Sequence, residues 1–220
     1  MKRLVLLLFI LINGCSAEEG CEPTPSLVTN DATDITDVSA TISGTITPPT
    51  CDDTVTSQGF VYGKGELPTV DDNKVIANGS SISKKIENLD PNTTYYARVF
   101  FENPIGVFYS NTISFKTGVG DLVVETLDAS VIFPEYVKVG VKLIDDGGGN
   151  VTNLGVYYSL EESVDKDDNF AEGTSPELIN LNPNTTYFYK ASGNNEKGQF
   201  FGEIKSFKTL DGDISSSINL

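Results

Sequence analysis

The feature that most constrains this chain is an internal repeat. Leu89-Asp90-Pro91-Asn92-Thr93-Thr94-Tyr95 returns as Leu181-Asn182-Pro183-Asn184-Thr185-Thr186-Tyr187, an offset of 92. At the same offset Asn103, Gly106, Phe108 and Ser114-Phe115-Lys116-Thr117 return as Asn195, Gly198, Phe200 and Ser206-Phe207-Lys208-Thr209. Upstream the offset becomes 96: Gly44, Gly59, Tyr62 and Asp71-Asp72-Asn73 match Gly140, Gly155, Tyr158 and Asp167-Asp168-Asn169. The second copy therefore lacks four residues between positions 73 and 89. A 220-residue chain that says the same thing twice folds as two similar domains, each closing its own core within about 90 to 100 residues.

Each copy alternates in period two. Ala40, Ile42, Gly44 and Ile46 are interleaved with Thr41, Ser43 and Thr45; Tyr95, Ala97, Val99 and Phe101 are interleaved with Tyr96, Arg98 and Phe100. Such alternation describes strands with one buried and one wet face. Thr47-Pro48-Pro49, Asp71-Asp72-Asn73, Asp145-Asp146-Gly147-Gly148-Gly149-Asn150 and Asn194-Asn195-Glu196-Lys197-Gly198 punctuate them as turns. About seven short strands per copy predict a β-sandwich.

The N-terminus is of another kind. Lys2 and Arg3 precede an apolar run from Leu4 to Ile12, too short to span a bilayer as a helix, and residues 1–14 read as a secretory signal. Leu11-Ile12-Asn13-Gly14-Cys15 resembles the bacterial lipobox, which implies cleavage before Cys15 and lipidation of that residue. Several acyl chains on one Cys anchor a protein stably, so the membrane is an expected partner through Cys15. Ser16-Ala17-Glu18-Glu19 resembles the acidic segment that sends some lipoproteins to the outside of the outer membrane. The expected location is therefore the bacterial outer membrane, facing the cell exterior. Residues 15–25, with Pro23 and Pro25, read as the lipidated Cys and an extended tether.

Charge and composition exclude several functions. Loss of residues 1–14 leaves 13 basic against 31 acidic residues, a net charge of −18. That field repels nucleic acid and anionic headgroups. The chain has no His, which removes Ser-His-Asp and Cys-His nucleophiles and His-ligated zinc. Asp165, Asp167, Asp168 and Asn169 superficially suggest a calcium loop, but Phe170 stands where that loop needs Gly and no Glu closes it. Asp71-Asp72-Asn73 repeats the pattern in the first copy, so both read as turns, as does Asp145-Asp146. No metal, cofactor or catalytic residue is expected, and the protein is expected not to be an enzyme.

The Leu-x-Pro-x-Thr-x-Tyr run, followed by a strand and an Asn-x-x-Gly turn, resembles the corner, penultimate strand and last hairpin of fibronectin type III domains. Gly59-Phe60-Val61-Tyr62, Pro68-Thr69 and Asp71-Asp72-Asn73-Lys74-Val75 resemble a bacterial branch common in surface proteins. The implied fold is all-β: two tandem seven-stranded fibronectin type III-like (immunoglobulin-like) sandwiches at residues 26–118 and 121–209, with a polar tail at 210–220. Tyr95 and Tyr187 would be tyrosine corners, each hydroxyl bonding back to the backbone. The core Trp common in animal members is absent, and neither copy carries an Arg-Gly-Asp tripeptide. In the implied topology the chain enters its first strand at the pole that carries the loop after the second, so Cys21 and Cys51 are expected to form a disulfide in an oxidising compartment.

The expected function is a non-catalytic cell-surface lipoprotein that presents its two modules to a protein or glycan. The alternative is a structural spacer or an accessory subunit of an outer-membrane complex, for example for nutrient uptake. Tyr96, Arg98 and Phe100 take the outward parity and form the candidate binding face, since aromatics around Arg are common in binding hot spots. The second copy keeps Phe188 for Tyr96 but has Ser192 for Phe100, which favours the first domain as the binding one. The short linker Gly118-Val119-Gly120 is expected to restrict the angle between domains.

Overall fold

The computed structural model describes residues 20–51 and 54–212. The signal peptide, Cys15 and residues 213–220 of the tail lie outside the described residues. The described chain is all-β, in two tandem sandwiches. The first contains β1 (Ser26–Thr33), β2 (Ala40–Thr47), β3 (Ser57–Gly63), β4 (Asn73–Ile76), β5 (Ser81–Ile86), β6 (Thr94–Asn103), β7 (Gly106–Tyr109) and β8 (Ile113–Lys116). The second contains β9 (Val123–Ile132), β10 (Tyr136–Asp145), β11 (Thr152–Ser159), β12 (Asn169–Glu172), β13 (Glu177–Ile179), β14 (Thr186–Asn195), β15 (Gly198–Phe201) and β16 (Lys205–Lys208). A three-stranded sheet β1-β2-β5 faces β4-β3-β6-β7, and β9-β10-β13 faces β12-β11-β14-β15.

Each sandwich has one strand more than the seven expected, because the last strand is broken at residues 110–112 and 202–204. Both halves still pair with the same neighbour, β6 or β14. At the break a buried threonine from the first strand of the facing sheet supplies a hydrogen bond. Val99 N–H donates to Thr29 Oγ1 at 2.8 Å and Ala191 N–H to Thr126 Oγ1 at 2.9 Å. A buried N–H left unpaired would be costly, so each of these hydroxyls ties its two sheets together.

The cores follow the alternation. Ile42, Ile46, Phe60, Val99 and Phe101 are essentially inaccessible in the first sandwich, and Val137, Val139, Val156, Leu178 and Tyr189 in the second. Each such side chain stabilises by roughly 1.5–3 kcal/mol. The two cores place their rings differently: Phe60 and Ala97 correspond to Val156 and Tyr189, so the large side chain moves from one strand to its neighbour. Gly44 completes the inward row of β2 because any Cβ there would strike the Val28 carbonyl and the Val99 side chain.

At the corner before β6, Tyr95 is 5% exposed and its hydroxyl accepts from Asp90 N–H at 3.0 Å. Tyr187, 7% exposed, accepts from Asn182 N–H at 3.0 Å. The corner backbone enters the left-handed region at Asn92 and Asn184, φ 47° and 52°, conformations that Asn tolerates. Thr117 and Thr209 close it, each donating to the carbonyl of residue 90 or 182 at 2.7 Å. At the opposite pole Cys21 and Cys51 form a disulfide with Cα atoms 4.8 Å apart, and Thr50 and Cys51 N–H donate to the Glu22 carbonyl.

Gly118-Val119-Gly120 joins the sandwiches without slack. Gly118 N–H donates to Thr36 O of the first domain and Gly120 N–H to Gly147 O of the second. Asn92 Nδ2 donates to the Gly148 carbonyl at 2.5 Å, and Asn195 Nδ2 donates to both Gly120 O and Asp146 O at 3.0 Å. Lys197 on the β14–β15 turn pairs with Asp37 at 2.8 Å and Asp121 at 2.7 Å. Gly147 and Gly148 have φ 66° and 72°, and a Cβ on Gly147 would strike Gly120.

Candidate functional site

The outer face of the β4-β3-β6-β7 sheet carries the three residues picked from the sequence, and it is closed. Phe100 is fully buried, a correction to its assignment as an exposed binding residue. Tyr96 and Arg98 are half-buried. The cause is non-local. Phe100 lies in register between Gly59, which has no side chain, and Tyr109, with Lys74 Nζ 6.0 Å from its ring. Val61, beside it on the outward parity, is also fully buried. Arg98 Nε donates to the Pro68 carbonyl at 2.6 Å, and its guanidinium lies 3.9 Å from the centre of the Tyr109 ring. Tyr109 Oη accepts from Val70 N–H at 3.0 Å. Arg98 and Tyr109 together hold the segment between β3 and β4 across the face. Arg98 thus works inward, as a clamp.

The same face of the second sandwich is built from the same positions with other residues. Val61, Lys74, Phe100 and Tyr109 correspond to Tyr157, Phe170, Ser192 and Phe201. Ser192 is fully buried, and Phe170 lies over Gly155 close enough that a Cβ there would strike its ring. Phe170 packs on Tyr157 with ring centres 4.7 Å apart and an interplanar angle of 45°; Phe201 lies 6.2 Å from Tyr157 at 59°. Lys190 Nζ sits 4.1 Å from the Phe201 centre, repeating the cation over an aromatic ring seen at Arg98. Gln199 Nε2 donates to Tyr157 Oη at 3.3 Å and to Ser192 Oγ at 3.1 Å.

The difference lies in what is left open. Phe170 is 38% and Phe201 41% exposed where the first sandwich has Lys74 and a half-buried Tyr109, whereas Phe100 and its counterpart Ser192 are both 0% exposed. Phe201 lacks the hydroxyl with which Tyr109 takes up a loop N–H. On this face the second sandwich carries the more exposed aromatic rings, Phe170 and Phe201. Their sequence signal is the outward parity of Tyr157, Phe170 and Phe201, visible only when the copies are aligned position by position.

The acidic clusters serve their own turns. Asp165 N–H donates to Asp168 Oδ2 and Asp167 N–H to Asp165 Oδ1, both at 2.8 Å; Thr69 N–H donates to Asp72 Oδ2 at 2.8 Å. Gly147 and Gly148 N–H are capped by Asp145 and Asp146. Among the described residues no group of three or more His, Cys, Asp or Glu side chains is placed to hold a metal ion. No family model matches the chain, and no curated protein matches it in sequence.

Proposed function

We propose that this chain is an exported bacterial lipoprotein, anchored in the outer membrane through Cys15, that binds an external partner through the β12-β11-β14-β15 face of its second sandwich without catalysis. The observation that carries the binding half is the contrast between the two copies. Where the first sandwich has Lys74 and a Tyr109 tied to its own loop, the second presents the exposed rings of Phe170 and Phe201. Rings ringed by polar groups are the residue chemistry of recognition surfaces. The anchoring half rests on the lipobox-like ending at Cys15. Facing the cell exterior, the second sandwich stands farther from the anchor than the first, where a partner reaches it most easily.

The rival is a spacer or accessory subunit of an outer-membrane complex, for example for nutrient uptake, and the interdomain joint favours it. A rod held by Lys197 and Asn92 suits a part whose task is to set a distance. One experiment separates the two readings. The Cys15→Ser chain, expected to leave the membrane fraction, is applied to arrays of glycans and of extracellular proteins. Tyr157→Ser with Phe201→Ser should abolish array binding, and Tyr96→Ser should leave it intact. Binding lost by neither variant, or absent from the start, moves the assignment to the spacer.

A further inference from the structure

We infer that the ligand of the β12-β11-β14-β15 face is a neutral saccharide of a few residues; the inference rests on the reading of that face as the binding site. Size is the first argument. β12 and β15 are four residues long, so the part of the face where all four strands run side by side, about 4.8 Å apart, measures about 14 Å by 13 Å, roughly 180 Å². A specific protein interface needs about 800 Å² per partner. The platform fits a small ring compound instead.

Chemistry is the second. Aromatic ring faces are electron-rich and attract the polarised C–H bonds on one side of a pyranose, whose hydroxyls point sideways. Tyr157, Phe170 and Phe201 supply rings inclined at 45° and 59° to one another, a shallow cradle rather than a flat stack. Amides stand at its end. Gln199 directs its N–H groups inward to Tyr157 and Ser192, which leaves its carbonyl oxygen as an acceptor. In register with it, the Asn194 side-chain oxygen is buried without a hydrogen-bond partner. Gln199, half-buried, offers that oxygen to a ligand hydroxyl, while the Asn194 oxygen lies below the surface and takes no part.

Charge is the third. The face has one cation, Lys190, committed to the Phe201 ring, and one acid, Glu172, opposite Gly155. The mature chain as a whole carries −18, which disfavours uronates and sulfated sugars relative to neutral ones.

Affinity electrophoresis of the Cys15→Ser chain tests this, with starch, mannan, xyloglucan and galactan in the gel and polygalacturonate and heparin as anionic controls. At least one neutral polymer should retard the protein and the anionic ones should not. Tyr157→Ala and Phe201→Ala should each weaken retardation about ten-fold, as loss of a stacking ring does. Tyr157→Phe keeps the ring and should keep most of the affinity; unchanged urea midpoints confirm folding. Retardation by no neutral polymer, by anionic polymers alone, or equally in Tyr157→Ala overturns the inference. Protein-array binding that depends on Tyr157 while every polysaccharide runs free would end the saccharide and leave the face standing as a binding site.

Discussion

At the residue scale the two tyrosine corners are the most instructive side chains, because each holds its corner through one hydroxyl that a single-atom change removes. Tyr95 Oη and Tyr187 Oη accept the N–H groups of Asp90 and Asn182 at 3.0 Å from positions 5% and 7% exposed. The ring itself is retained by Phe, which still stacks on Phe115 or Phe207. Tyr95→Phe and Tyr187→Phe should therefore lose only the bonding of the hydroxyl, about 1 kcal/mol each, with Tyr95 also giving up a long bond to Asp90 Oδ2 at 3.4 Å. Urea unfolding reads the effect, and a midpoint unmoved in both variants would mean that the corners do not hold. The ion pair Lys64–Asp90 beside the first corner is about 60% exposed on both partners, so it contributes little and does not mask the result.

At the element scale β6 shows where the sequence is legible and where it is not. Its alternation places Tyr95, Ala97, Val99 and Phe101 inward, as they are found, because inward parity depends only on the period of the strand. The same alternation puts Phe100 outward, and there it is buried. Whether an outward residue is wet depends on what crosses the face, here a segment fixed by Arg98 to Pro68 and by Tyr109 to Val70. Nothing local to β6 encodes that. The disulfide was readable because it depends on topology alone, which brings Cys21 and Cys51 to one pole. The open face of the second sandwich was not, since it arises from a swap: the ring over the strand glycine comes from β6 in register with Gly59, and from β12 over Gly155. Phe100→Ala should consequently act as a core truncation and cost about 3–5 kcal/mol in urea unfolding. A cost below about 1 kcal/mol would fit a surface residue and restore Phe100 as a binding candidate.

At the scale of the whole molecule the question is whether two domains joined by three residues behave as one body. Inter-domain interfaces default to relative motion unless something fixes them. Here three kinds of contact do so at once: backbone bonds from Gly118 and Gly120, the side-chain bond from Asn92 to Gly148, and the pairing of Lys197 with Asp37 and Asp121. The ionic part is pH-dependent with a definite sign. Its hydrogen bond to Lys197 holds the Asp37 carboxyl below the ordinary aspartate range, so its contribution is present above that range and is lost as pH falls through the lowered value. Bonds to Asp121 and Asp37 raise Lys197, so its contribution is present below the ordinary lysine range and is lost as pH rises through the raised value. Between these limits the joint should be closed. Residual dipolar couplings at neutral pH should then fit both sandwiches with one alignment tensor. Lys197→Ala combined with Asn92→Gly, which keeps the left-handed backbone while removing the side-chain bond, should give two different tensors. The single Lys197→Ala variant should fall between, and molar salt should mimic it in the native chain by screening the pair. Independent tensors in the native chain at low salt, or one shared tensor in the double variant, would show that these contacts are not what sets the angle between the domains.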